Sequence, residues 1–293
     1  PAGPNAWRLR PVDALGGGVP VFQPANSRSA TPPPVGGTVT VAALNVLNYF
    51  NTFSGCTAGV GGPPVGCRGA DDATELERQS AKLVAALAAM DADAVGLVEL
   101  ENDGYGANSA IAELVDRLNA ATAPGRYAFL DVDARTGTVD ALGTDAIKVG
   151  LIYQPARLTP VGTTAVLATP AFVTGGDGQI RNRPSLAQAF EDRNGGVFIA
   201  DVNHFKSKGR ACDLPAAGDG QGNCNAVRVR AAQELAAWLA TDPTGTGDDD
   251  VLILGDLNAY RLEDPLDALR EAGYTDLLDA AFGADAYSFV FDG

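Results

Sequence analysis

Four strand-like stretches of this chain end in side chains able to hold a cation or a phosphate oxygen. The most informative is 251–260, VLILGDLNAY. Its apolar start, 251–254, has the character of a buried strand, and Gly255 then releases the chain from strand geometry. Asp256 and Asn258 follow two residues apart, which puts both side chains on one face if the backbone stays extended. A carboxylate beside a carboxamide at a strand mouth can hold a water and a phosphate oxygen. The plainer reading is a polar loop whose Asx turns satisfy their own backbone.

The other three ends are similar in kind. Asn45 closes the alternating run 38–46, TVTVAALNV, and Asn48, Tyr49 and Phe50 follow it. Glu99 closes 93–100, DAVGLVEL. The apolar run 197–203, VFIADVN, delivers His204, the only histidine in the chain. A lone histidine is more often a satisfied core or surface residue than a catalyst. Here Lys206 and Lys208 follow at once, which argues for an anion nearby, although strand-end lysines are also ordinary surface charges. Asn45, Glu99, Asp256, Asn258 and His204 together form an oxygen-rich set. Such a set suits Mg²⁺ or Mn²⁺, with Ca²⁺ a further oxygen-preferring candidate, and does not suit a structural zinc site.

The positioning elements follow from periodicity. Residues 71–90 form a helix, with Leu76, Leu83, Leu87 and Met90 at helical spacing and acidic residues at its N-terminal end. A second helix spans 109–121 and a third 225–240, with a short one at 265–272. Strands are expected at 127–132 and 147–153, with weaker ones at 161–167 and 186–191 and short ones at 19–22 and 287–291. The pattern fits sheets packed on each other with helices outside. Residues 1–37 are rich in Pro, Gly and Ser, and the Pro run at 32–34 bars helix and central strand, so this stretch is expected to be an extended arm or linker. The remainder, 38–293, is expected to be one catalytic domain.

Bulk composition narrows the classes. The 293 residues carry 36 acidic and 21 basic side chains, a net charge of −15. That balance is a poor footprint for a simple phosphate-coating DNA binder. It suits a site that recruits divalent cations before it meets an anion. No apolar run approaches the length of a membrane span, and no amphipathic membrane-docking hairpin stands out. The chain opens at Pro1 without Met or an apolar h-region, as a chain freed of a signal peptide would.

The four cysteines fall in two local pairs inside Gly-rich, aperiodic stretches, Cys56 with Cys67 and Cys212 with Cys224. Neither pair has CxxC spacing, and the only histidine adjoins neither, which disfavours a metal site. Two loop-closing disulfides and an oxidising compartment, secreted or periplasmic, are expected.

The motifs ALNVLNYF, DAVGLVELEN, VNHFKSKG and ILGDLNAY resemble, in content and order, those of the endonuclease/exonuclease/phosphatase superfamily. They are most similar to secreted bacterial nucleases of the pancreatic-deoxyribonuclease type. The Pro-rich arm ending in Val35-Gly36-Gly37 and the Cys-bearing loop after NYF also resemble that secreted group, and the likeness covers 35–293. It implies a four-layer α/β sandwich, two mixed sheets face to face with helices outside. It also implies phosphodiester hydrolysis of DNA, with RNA as an alternative, by a monomer using Mg²⁺ or Mn²⁺. Glu99 would ligate the metal, with Asn45 in or beside its shell. Asp256 would orient or deprotonate the attacking water, Asn258 would hold it and the phosphate, and His204 would donate to the phosphate or move a proton. The family continues past a segment like 287–293 into a strand bearing Asp-His and a Ser-Asp-His type motif, so this chain is expected to be a fragment of an active enzyme. Two other functions compete: a phosphatase or phosphodiesterase acting on lipid or inositol headgroups, and a catalytically silent binding module on the same scaffold.

Overall fold

A computed structural model describes residues 31–215 and 218–286. Contacts divide the chain into two units, Pro1–Pro34 and Val35–Gly293, and the second holds both sheets and every helix described. Most of the arm expected over 1–37, and the strands expected at 19–22 and 287–291, lie outside the described residues.

Two four-stranded sheets form the centre. In the first, β1 (Val41–Tyr49) pairs parallel with β2 (Ala94–Glu101). Antiparallel pairings then add β4 (Ile147–Tyr153) and β3 (Ala128–Phe129). In the second, β5 (Leu158–Leu167), β6 (Ser185–Asp192) and β7 (Val197–His204) are antiparallel, and β8 (Val251–Asp256) pairs parallel with β7. Each parallel pair needs a long crossover, which helices supply. Helix α1 (Ala73–Met90) joins β1 to β2, and α5 (Asn225–Leu239) joins β7 to β8.

Three apolar layers hold this order. Val95, Leu97 and Leu100 of β2 pack against Leu76 and Leu87 of α1 and against Ile111, Leu114 and Leu118 of α2 (Ala110–Ala121). Val98, Val149 and Leu151 of the first sheet meet Leu186, Phe190, Ala200 and Val202 of the second, so the sheets stack face to face. Beyond the second sheet, Ala187 and Ile199 pack on Ala231 and Leu235 of α5, on Phe172 of α4 (Pro170–Thr174) and on Leu269 of α6 (Asp264–Glu271). The result is the expected four-layer α/β sandwich. Gly96 permits the stacking, because a Cβ there would stand 3.0 Å from Val202 Cγ2.

The expected helices and most strands are present within a few residues of their sequence-derived bounds. Three differences have local causes. Residues 127–132 hold only two strand residues, because the Asp131 side chain accepts from Ala134 N and starts α3 (Val132–Thr136). The short helix α4 begins at the Thr169 cap followed by Pro170, and α7 (Leu277–Phe282) at the Asp276 cap. Finally, β8 was expected to be buried, yet 251–254 are half-buried, because among the described residues β8 is an edge strand with β7 as its neighbour. No helix of the described residues is long and apolar enough to cross a membrane. Both expected disulfides are formed, Cys56–Cys67 and Cys212–Cys224.

Among the described residues, the layer under α5 contains a carboxyl with no cation. Asp201 of β7 is fully buried and accepts from Ser185 Oγ and Asn203 Nδ2. Burial pushes its carboxyl up to about 7 against these bonds. An acid raised in the folded state contributes stability below its ordinary value of 3.8, and that contribution is lost as pH rises towards about 7. Asp201→Asn removes the ionisation. Its melting temperature relative to wild type should therefore climb between about pH 4 and about pH 8. A difference that stays flat in calorimetry over that range would show that Asp201 ionises as readily folded as unfolded.

Candidate functional site

The mouth of the sandwich lies where the C-terminal ends of β1 and β2 meet those of β7 and β8. Two irregularities in register shape it. Between the pairs Asn45–Val98 and Tyr49–Leu100, residues 46–48 of β1 face Glu99 alone. Between Leu97–Gly150 and Leu100–Lys148, residues 98 and 99 of β2 face Val149 alone. Glu99 thus sits in a bulge on both sides, with φ of 67°. Bulges re-aim side chains at strand ends. Here the extra residue lets Leu97 and Leu100 both face the helices while Glu99 turns to the rim. Leu47 (φ 57°), Asn48 (φ 49°) and Asn258 (φ 49°) are also left-handed, so four strained non-glycine residues gather at one rim. Gly255 (φ 108°) makes the β8 side possible, since a Cβ there would lie 2.1 Å from the Asn203 carbonyl oxygen.

Hydrogen bonds tie the two sheets together at this rim. Asn45 Nδ2 donates to Glu99 Oε1 (3.0 Å) and across the seam to Asp256 Oδ2 (3.2 Å). Its Oδ1 accepts from Leu47 N (2.8 Å). These three bonds fix the amide, because swapping its ends would set oxygen against carboxylate oxygen. Glu99 Oε2 accepts from Asn48 N (3.0 Å). Asp256 Oδ1 accepts from Asn258 N (2.9 Å), the Asx turn of the plainer sequence reading, which leaves Oδ2 aimed at Asn45. Asn258 Nδ2 donates to the Phe205 carbonyl (3.0 Å). His204 pairs with Asp256 in the β7–β8 register, and its Nε2 lies 3.9 Å from Glu99 Oε1. The structure therefore brings Asn45, Glu99, His204, Asp256 and Asn258 to one place.

The far wall of the mouth is positive. Arg183 donates its own N–H to the His204 carbonyl (3.3 Å). Asp145 is shared between the guanidinium groups of Arg183 (2.8 Å) and Arg68 (3.0 Å), which leaves a surplus of cation there. Among the described residues, the Lys206 ammonium bonds to Ser207 alone, at its carbonyl (2.8 Å) and its Oγ (3.2 Å). Burial and then the guanidinium groups of Arg183, Arg181, Arg228 and Arg210 hold that ammonium below the usual lysine range. Lys208 is placed otherwise: it pairs with Glu263, which precedes α6, and lies over the Tyr260 ring at 4.0 Å.

Supporting residues that the sequence did not single out stand behind both walls. Glu101 Oε2 accepts from Asn51 N (3.0 Å) and Thr52 N (3.2 Å), fixing the loop that leads to Cys56. Arg228 of α5 is fully buried and donates to the carbonyls of Lys206 (3.1 Å), Asn223 (2.7 Å) and Gln221 (3.2 Å), welding the Cys212–Cys224 loop to the segment after His204. Such partners are backbone atoms of distant loops, which no motif spacing reports.

Among the described residues, no group of three or more His, Cys, Asp or Glu side chains is arranged around a metal position. What the mouth offers is two carboxylates joined by one carboxamide. That donor set fits Mg²⁺ or Mn²⁺, which take one or two carboxylates and fill the remaining positions with water and substrate oxygens. In this arrangement Asn45 holds the two carboxylates together and turns its nitrogen, not its oxygen, towards them.

The chain matches no protein-family model and no curated protein. Several solved structures are similar to it. The human Nocturnin catalytic domain with bound sulfate is 18% identical, at a TM-score of 0.48 over 73% of this chain and 69% of that one. An endonuclease/exonuclease/phosphatase family protein from Bacteroides thetaiotaomicron is 15% identical, at 0.48 over 80% and 69%. The mannosyl-6-phosphatase of the same species is 16% identical, at 0.49 over 80% and 71%.

His204 makes a clean probe of this mouth. Burial is the main force lowering its imidazole to about 3, and Arg183, Arg68 and Lys206 add to it. A histidine lowered in the folded state contributes stability above its ordinary value of 6.5, and that contribution is lost as pH falls towards about 3. The chain has one histidine, so a single imidazole signal is followed by NMR without assignment. It should remain neutral down to about pH 5. A midpoint near 6.5 in the folded protein would mean that the ring is neither buried nor set against the positive wall.

Proposed function

We propose that the chain is a metal-dependent phosphodiesterase acting on nucleic acid in an oxidising, extracytoplasmic compartment. One observation supports this above the others: a single mouth is split into a carboxylate pair, Glu99 and Asp256, and a positive wall of Lys206, Arg183 and Arg68 around the neutral His204. A phosphodiester group bridged to a cation needs both halves. Glu99 would hold the ion, with Asn45 in or beside its shell. The chemistry an Mg²⁺ or Mn²⁺ ion would supply there is neutralisation of the charge that develops on the phosphoryl oxygens. The two disulfides support the compartment, since such bonds persist outside reducing cytosol.

The chain's own groups have distinct tasks in this reading. Asp256 Oδ2, now held by Asn45, accepts the proton of the attacking water. Asn258, locked by its bond to the Phe205 carbonyl, orients that water and the phosphate. His204 is neutral, and among the described residues its buried Nδ1 has no partner. The Nε2–H tautomer then puts the ring's proton on the rim side, where it can donate to a phosphate oxygen. Arg183 and Arg68 are held in place by Asp145 and keep the local field positive. Lys206 is the lysine available to the phosphate, because Lys208 is committed to Glu263.

Asp256→Asn keeps the side chain's size, removes the base and gives up one of the two bonds the carboxylate accepts. Initial rates of plasmid nicking with Mg²⁺, corrected for folded fraction, should fall at least about 100-fold, the low end for a general acid–base group. Glu99→Gln should weaken Mg²⁺ binding in calorimetric titration without lowering the melting temperature by more than a few degrees. A folded Asp256→Asn protein with near wild-type nicking ends this reading. Side-by-side assays on phosphoinositides separate the headgroup alternative, and inactivity on every ester would leave a binding module.

A further inference from the structure

Leu47 is out of place by ordinary rules. It is 73% exposed and lies at φ 57°, and among the described residues it is the one aliphatic side chain at positive φ. Single exposed leucines are common and need no explanation, as Leu262 illustrates at 74% exposure with an ordinary backbone. A bulky residue in the left-handed region is different, because it costs on the order of 1–3 kcal/mol unless the surroundings impose it. The surroundings here do impose it. Asn45 Oδ1 takes the Leu47 N–H (2.8 Å), and Gln79 Nε2 of α1 donates to the carbonyls of both Val46 and Leu47 (2.8 Å each). The next residue is pinned in turn, with Asn48 N on Glu99 Oε2 (3.0 Å).

The backbone of this tip is therefore satisfied on every side while its side chain points into solvent. It does so between the two β1 residues that bond to Glu99, at the rim of a mouth that is otherwise charged. Glycine would adopt the same φ without strain. The pinned backbone thus presents an apolar side chain at the rim beside Glu99, the residue that would hold the metal in the reading above. Another phosphate could not use that contact. The flat face of a base, or the carbon skeleton of its sugar, could, and leucine is among the side chains that wedge against or between bases.

We propose that Leu47 is a specificity-determining residue that packs on the sugar–base unit adjoining the scissile phosphate. The proposal rests on the phosphodiesterase reading and deepens it by assigning how the enzyme would tell a nucleic acid from a bare phosphodiester.

The test compares two substrates and three proteins. The substrates are plasmid DNA and methyl 4-nitrophenyl phosphate, a diester with neither base nor sugar, both with Mg²⁺. The proteins are wild type, Leu47→Ala and Leu47→Gly. The ratio of kcat/KM on DNA to that on the small diester should drop about tenfold in both variants, roughly half or more of what fully burying a leucine yields. Leu47→Gly should at the same time melt higher than Leu47→Ala, because glycine relieves the left-handed backbone. An unchanged ratio overturns the proposal. So does an equal loss on both substrates, which would make the tip a support for Glu99 and nothing more. Wild-type protein inactive on both diesters overturns the phosphodiesterase reading itself, and the wedge falls with it.

Discussion

One carboxamide holds this mouth together. Asn45 belongs to the first sheet and Asp256 to the second, and the Nδ2 bond between them crosses the seam of the sandwich. The same nitrogen serves Glu99, so two carboxylates that would repel each other are drawn towards one donor. Everything else at the rim is arranged around that geometry. The double bulge turns Glu99 outwards, the Asx turn fixes Asp256, and Gly255 lets β8 approach β7 closely enough for His204 and Asp256 to lie side by side. Inter-sheet packing of Val98, Val149, Ala200 and Val202 sets the distance between the walls, so a loosened core would be felt first at the carboxylates.

The strands and their ends were legible because buried strands announce themselves in apolar runs, and a polar residue that closes such a run lies where the strand opens to a rim. Asn45, Glu99, His204, Asp256 and Asn258 were found that way, and the structure brings all five together. Alternation could not reveal that Glu99 lies in a bulge, since the register of a strand depends on its partners as well as its own sequence. Nor could it separate Lys206 from Lys208. Two residues apart they look equivalent, but Glu263, more than fifty positions on, takes one of them. Arg183, Arg68 and Asp145 were invisible for the same reason, being brought to His204 only by the folded loops. The half-buried state of β8 was also beyond an apolar count, which reports composition and not position in a sheet.

The chain's charge looks different from inside the mouth than from its total. A net charge of −15 argues against a surface that coats nucleic acid, yet the wall around His204 is locally cationic. Buried arginines account for part of this. Arg228 has no carboxylate bonded to it among the described residues and spends its guanidinium on backbone carbonyls, and its charge is felt by Lys206. Focusing positive potential in a cleft while the exterior stays acidic favours an anion that enters the mouth over one that lies along the surface.

The two disulfides also bear on how the chain reaches this arrangement. Each closes a short loop, with its cysteines 11 and 12 residues apart in sequence. Pairing a cysteine of one loop with one of the other would close a loop more than ten times longer, at an added chain-entropy cost of about 2 kcal/mol. Native pairing is therefore favoured in a chain that has not yet formed either sheet. Oxidation can run ahead of assembly, and no isomerase need reshuffle long-range bonds afterwards. Both hairpin-like clasps would be shut before β1 meets β2 or β7 meets β8, leaving the slow, non-local strand pairings to proceed with the walls of the mouth already stapled.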